Sequence, residues 1–340
     1  MNIAAALCGG YTAATVYGPT ALAWFAGSTL GYAFSFVCSL FFLNKRLVTK
    51  SSADPQLLNQ NFMREIWLLV PPLVIGVVFF WIHFHSFKIF MTSHFDLAVV
   101  GIFLASYGLA ASVVGSAESL LAQILQPTLY FKIESEPRAR EKIFGDYVIV
   151  MGSVLLLTMC LACLFSDVLI RLLLAEQYKT AATYFVICVF IEGLRALAGS
   201  VQLAGVIFKR PKKALLPQGV ASALVVLCYL PFLFMDIFSE DKGVWVFSGV
   251  LLVSSFLLLA LNSIAFKENY DISRYQWIRT TLVVAGAGGL AVLLHTFLPA
   301  DSWWPIILIA PIIGVAVLFI FEISELIDLR AHIFFKRKSL

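Results

Sequence analysis

Residues 97–117 read LAVVGIFLASYGLAASVVGSA, twenty-one consecutive residues without an acid or a base. About 20 apolar residues cross the hydrocarbon core of a bilayer as one helix, so this stretch sets a membrane span as the first expectation. Outward from it, similar runs occupy 66–87, 147–166, 214–235, 243–266, 280–300 and 302–321. The apolar segment 1–44 is too long for one span, and Gly18-Pro19 divides it into 2–17 and 20–43. The stretch 183–208 completes a set of ten, although it holds Glu192 and Arg195. With 61% hydrophobic and 13% charged residues and a mean hydropathy of +0.92, the composition excludes an ordinary soluble domain. The fold expected is all-α, a polytopic integral membrane bundle of about ten transmembrane helices.

The first apolar stretch has no basic segment before it and no soluble-like domain after it, which argues against a cleaved secretory signal. Orientation follows from the placement of Lys and Arg, which accumulate in cytoplasmic loops. One alternating set of connections holds nineteen of the twenty-four, including Lys132, Arg138, Arg140 and Lys142, and the cluster at 209–213. The opposite set holds only Lys88, Arg171, Lys179 and Lys242, and Arg195 lies inside a span. Both termini are therefore expected in the cytoplasm. The net charge of +4 is accounted for by these loops, with the clusters at 209–213 and 336–338 also near anionic lipid, and no nucleic acid is implied.

Catalytic and metal-binding patterns are weak. No GxxxxGK[ST] phosphate loop occurs, and no stretch outside the expected spans exceeds about 22 residues, too short for a catalytic domain. Cys160 and Cys163 have the spacing of half a metal or redox site, but no second pair accompanies them. His83, His85 and His94 fall near one mouth of the bundle, two of them on nearly opposite helix faces. No cofactor and no enzymatic reaction is expected.

Charges within spans carry the functional signal. A charged side chain in the hydrocarbon costs at least about 2.5–3.5 kcal/mol on insertion scales, so it faces a bundle interior or a wet cavity. Glu192 and Arg195 are three residues apart, on one helix face, where they pair either as a structural tie or as a cavity lining. Glu118, beside Gln123 and Gln126, sits near the inner end of its span and is within reach of water by itself. Tyr107, Tyr184 and Trp81 read as packing or interface aromatics.

The order "FDLAVVGIFLASYGLAASVVGSAESLLAQILQPTLY", the basic "FKIESEPRAREK", then "SDVLIRLLLAEQYKTAATYFVICVFIEGLRALAG" resembles the second half of bacterial polysaccharide flippases of the O-antigen translocase kind. These belong to the superfamily that includes multidrug and toxin extrusion (MATE) transporters. The resemblance covers residues 66–340 and rests on loose patterns. It implies two lobes of six helices around a central cavity, followed by two extra helices. On that plan 1–43 is the end of the first lobe, 44–65 a cytoplasmic loop, 66–266 a six-helix second lobe, and 267–340 the extra pair with a basic tail. The chain is then short by about four helices: either translation starts at an internal Met, or the chain is a shortened relative, and if the four helices are missing the 340-residue form is expected to fail in glycan export where an upstream-extended form succeeds.

The resemblance also implies a substrate, a polyprenyl-diphosphate-linked oligosaccharide flipped from the cytoplasmic to the periplasmic leaflet of the inner membrane. Arg195 then becomes the intramembrane cation for the diphosphate, with Glu192 and Glu118 beside it. Lys132, Arg138, Arg140 and Lys142 collect substrate at the cytoplasmic mouth. The partners implied are the lipid-linked glycan, membrane lipids, glycan polymerase machinery and a coupling ion, H+ or Na+. Two alternatives stay open: a multidrug cation antiporter of the same fold, in which Glu118 and Glu192 dominate, and a non-transporting partner of glycan assembly.

Overall fold

A computed structural model describes residues 60–174, 178, 181–234 and 240–270, with a few isolated helical positions outside them. Side chains are described within 70–174, 181–229 and 243–270, and at Tyr178. The chain divides into two compact units, Met1–Leu68 and Leu69–Leu340. The expected spans within 1–43 and 280–321, and the tail after them, lie outside the described residues.

The long charge-free runs become helices, because a chain surrounded by lipid must satisfy its backbone polar groups internally. They are α1 (Gln60–His94), α2 (Leu97–Ser135), α3 (Arg140–Leu164), α4 (Ser166–Leu173), α5 (Ala181–Gln202), α6 (Ala204–Ile207), α7 (Lys212–Phe234) and α8 (Glu240–Ala265). Short 3-10 turns at Pro137–Ala139 and Lys267–Asn269 complete the set, so every regular element among the described residues is helical. Among the described residues, five helices are long and apolar enough to cross a membrane: Val70–His94, Leu97–Ser135, Pro137–Leu164, Ala181–Ile207 and Gly243–Ala265. Large apolar side chains cover their outer faces, with Val77, Phe131, Leu216, Phe256 and Ile264 all more than half exposed, a surface that suits lipid.

Two helices outrun their apolar stretches. α1 begins at Gln60 and carries Pro71 and Pro72 inside it. α2 continues past Glu118 and through Pro127 to Ser135, 39 residues or about 58 Å at 1.5 Å per residue. That exceeds the roughly 30 Å hydrocarbon core, so part of α2 must tilt or project. The side chain of Asp96 caps the start of α2 by accepting from the Ala98 amide at 3.1 Å.

The central element is α5, which packs against α2, α3 and α8. Small residues permit this closeness: a Cβ at Gly193 would lie 2.1 Å from Sδ of buried Met159 on α3. Ser106 Oγ donates to the Ala181 carbonyl at 3.0 Å, tying α2 to the start of α5. His83 on α1 and Ser254 on α8 share a buried hydrogen bond of 2.8 Å. Phe90, Tyr229 and Phe247 stack with centroids 4.6–5.6 Å apart and join α1, α7 and α8.

Three basic connections share one end of the bundle. Phe208, just before the α6–α7 loop, meets Phe144 at the start of α3 edge-on, with centroids 5.9 Å apart. Arg210 from that loop and Lys213 in the first turn of α7 lie 3.9 and 3.6 Å from Glu268, which follows α8.

Candidate functional site

Because α5 is central, its charged residues Glu192 and Arg195 are drawn inside and must find partners there. Glu192 is 4% exposed. Its Oε1 accepts from the Tyr107 hydroxyl of α2. Its Oε2 accepts from Arg195 Nε at 2.7 Å, the pairing expected from three-residue spacing. The guanidinium fork then reaches across to α2, where Nη2 donates to Glu118 Oε2 at 2.7 Å.

Glu118 therefore does not reach water alone. It joins Arg195 across 77 residues of sequence. Tyr107, read from sequence as a packing aromatic, is also the hydroxyl donor that fixes the buried carboxylate. Neither link was visible in the sequence, because apolar periodicity does not say which faces of two distant helices meet. The only available signal was the cost of leaving each charge unpaired. Tyr184 packs against Phe103 and Trp245, and Trp81 is half exposed.

The two carboxylates are unequal. The side chain of Glu192 is 5% exposed and that of Glu118 is 26% exposed. Glu118 lines a cavity of about 230 Å³ with Gln126, Tyr147, Ser200, Gln202 and Pro211, and among the described residues it is the only formally charged side chain in the lining. Gly199 lines the cavity beside it, where a Cβ would make ordinary van der Waals contact with Glu118 Oε1 at 3.6 Å. With both acids ionised, the triad of Glu118, Arg195 and Glu192 carries one more negative than positive charge.

At the opposite side of the network, the Lys88 ammonium lies 5.2 Å from the centre of the Tyr107 ring. A run of polar groups therefore leads from Lys88 past Tyr107, Glu192 and Arg195 to Glu118 and the cavity. Lys132, Arg138, Arg140 and Lys142 are placed in or beside the connection between α2 and α3 and are not brought into this network. The four described cysteines, Cys160, Cys163, Cys188 and Cys228, are free thiols. No protein family, curated protein or solved structure matches the chain.

Proposed function

We propose that the chain is a multi-pass inner-membrane transporter that flips a polyprenyl-diphosphate-linked oligosaccharide from the cytoplasmic to the periplasmic leaflet, leaving it chemically unchanged. One observation carries the transport reading: a hydrogen-bonded carboxylate–guanidinium–carboxylate network between the central helix and α2 of a lipid-facing bundle, opening at Glu118 onto a cavity lined by polar and apolar groups together. A scaffold gains little from such a network, since apolar replacement of buried ion pairs is often neutral or stabilising. A protein that passes polar groups through the hydrocarbon needs them.

The choice of a lipid-linked glycan rests on the resemblance of residues 66–340 to polysaccharide flippases. In this reading the basic end of the bundle is cytoplasmic, as are both termini, and Lys132, Arg138, Arg140 and Lys142 attract the phosphate-bearing substrate. Arg195 offers a cation to it while Glu192, held by Tyr107, keeps the guanidinium oriented. H+ or Na+ at Glu118 is the coupling ion, and glycan polymerase machinery receives the product.

A second reading, a multidrug cation antiporter, is favoured by the surplus negative charge of the triad and by Glu118 being the charged member of the cavity lining. Deleting the gene in its own host separates the two. The flippase reading expects loss of surface glycan, with lipid-linked oligosaccharide accumulating on the cytoplasmic leaflet. Normal glycan with new sensitivity to cationic drugs would replace it with the antiporter.

A further inference from the structure

The polar groups that line the Glu118 cavity are held in place from behind. Arg195 Nη2 occupies Oε2 of Glu118 at 2.7 Å, which leaves Oε1 beside Gly199 with no donor among the described residues. At the end of α5, Gln202 Oε1 accepts from Gln218 Nε2 at 3.1 Å, so the Gln202 amide nitrogen keeps its own protons for another partner. Gln218 is 5% exposed, and its own Oε1 is buried without a donor among the described residues. An apolar side chain would avoid the cost of that orphaned oxygen, so the use of Gln218 lies in what it does to Gln202. Ser200 Oγ donates to the Ala196 carbonyl at 3.0 Å and retains its acceptor lone pairs. Gln126 is within hydrogen-bonding reach of the Tyr147 hydroxyl and, as a carboxamide, both donates and accepts.

These groups narrow the ligand. A cavity of about 230 Å³ is smaller than the roughly 300–1,000 Å³ of sites for drug-sized molecules, so its occupant is small. An anion is opposed by Glu118, and Arg210, Lys212 and Lys213, near Pro211 in sequence, are not part of the lining. A metal ion meets one free carboxylate oxygen with a guanidinium 2.7 Å from the other, and no group of three His, Cys, Asp or Glu among the described residues. The same guanidinium weakens the pull on an organic cation. A neutral ligand with several hydroxyls meets none of these objections. Each hydroxyl donates to an oxygen such as Glu118 Oε1 or Ser200 Oγ and accepts from an amide such as that of Gln202. Leu73, Met151 and Val206 in the same lining suit the C–H faces of a sugar ring.

We propose that this cavity is a subsite for one neutral sugar ring, read through its hydroxyls by Glu118, Gln126, Ser200 and Gln202. The subsite rests on the flippase reading in one respect, that the ring belongs to the transported glycan. It is tested by binding alone, so normal surface glycan in the deletion strain would remove the flippase reading and leave the subsite standing.

The experiment follows binding to the full chain in phosphatidylcholine nanodiscs by saturation-transfer NMR. The probes are the methyl glycosides of glucose, galactose, mannose and N-acetylglucosamine, then the amino sugar and the uronic acid of each ring that binds. At least one neutral ring is expected to bind in the millimolar range, its amino form no more tightly and its uronic acid more weakly. Gln202→Leu and Gln126→Leu should each weaken the neutral ring roughly three- to tenfold, the value of one hydrogen bond. Ala122→Phe, which fills space in the lining without removing a polar group, should abolish binding, and it keeps the test open if a Leu variant is unstable. Glu118→Gln preserves an acceptor oxygen and should retain measurable binding of the neutral ring. An amino form bound tenfold more tightly, and lost in Glu118→Gln, would make this a cation site instead. Absence of binding by all four neutral probes, or affinity unchanged in the Leu and Phe variants, would remove the subsite.

Discussion

Replacing Arg195 by Ala is the most informative perturbation of the interior. The guanidinium joins two carboxylates on two helices, at 2.7 Å each, and its removal leaves Glu192 with only the Tyr107 hydroxyl as donor. Breaking a fully buried ion pair costs about 3–5 kcal/mol, because a charge remains without its partner. Glu118, a quarter exposed, recovers part of this through water, which places the expected loss near 3 kcal/mol. For a domain of some 150–250 residues that corresponds to a drop of roughly 6–12 °C in melting temperature. Thermal unfolding of the detergent-solubilised protein, followed by tryptophan fluorescence, reads it directly. Arg195→Lys should fall in between, since the charge survives but one ammonium cannot reproduce a fork that serves two acids. Combining Arg195→Ala with Glu192→Ala should recover most of the stability, because no charge is then stranded. If Arg195→Ala melts within roughly 2 °C of the native chain, the triad is not the buried unit described here.

Two further outcomes follow from the packing and the shared basic end. Gly193→Ala should destabilise by about 1–3 kcal/mol, since its Cβ meets Met159 Sδ at 2.1 Å and Cγ at 2.7 Å, and Met159→Ala in the same chain should restore part of the loss in the melting assay. In a background with all six cysteines replaced, single cysteines at Ser135 and Glu268 should react with an impermeant maleimide from one face of the membrane and a cysteine at Ser93 from the other. Labelling of Ser135 and Glu268 from opposite faces would contradict the helix order.

Legibility from sequence followed the range of the interaction involved. Charge-free runs gave the cores of the helices, because the requirement for internal backbone hydrogen bonding acts along one segment. The Glu192–Arg195 pair was legible for the same reason, since a separation of three residues places both on one face. The length of α2 was not, because counting apolar residues stops at Glu118, whereas helix formation continues through "ESLLAQILQPTLYFKIES" on residues that suit a helix although they are not apolar throughout. The Glu118–Arg195 and Tyr107–Glu192 bonds depend on how α2 turns against α5, which close packing around Gly193 and the Ser106–Ala181 bond help to fix. Lys209 was visible as part of a basic cluster but not as a left-handed residue, because the position where glycine normally announces that turn is held by the lysine itself.

Charge ordering along the cavity makes Glu118 the residue on which the two transport readings disagree in sign. The lining carries Glu118 and reaches Pro211, which follows Lys209 and Arg210 in sequence, and Arg195 stands behind the Glu118 carboxylate, 2.7 Å away. A phosphate entering the cavity meets a like charge before it can meet the guanidinium, and in a low-dielectric site that repulsion is weakly screened. Cancelling the Glu118 charge, by a bound proton or cation, removes the barrier and leaves Arg195 balanced by Glu192 alone. Glu118→Gln makes that cancellation permanent while preserving the shape of the side chain. If the substrate is a phosphate-bearing lipid, its entry from the cytoplasmic leaflet should become easier in this variant, and transport should lose its dependence on the ion gradient. If the substrate is an organic cation, the same change removes the charge that attracts it, and efflux should fall by tenfold or more, about the value of one charge-assisted contact. Lipid-linked glycan and cationic-dye transport measured in the same proteoliposomes give the sign, and a variant indistinguishable from the native chain in both assays would take Glu118 out of either mechanism.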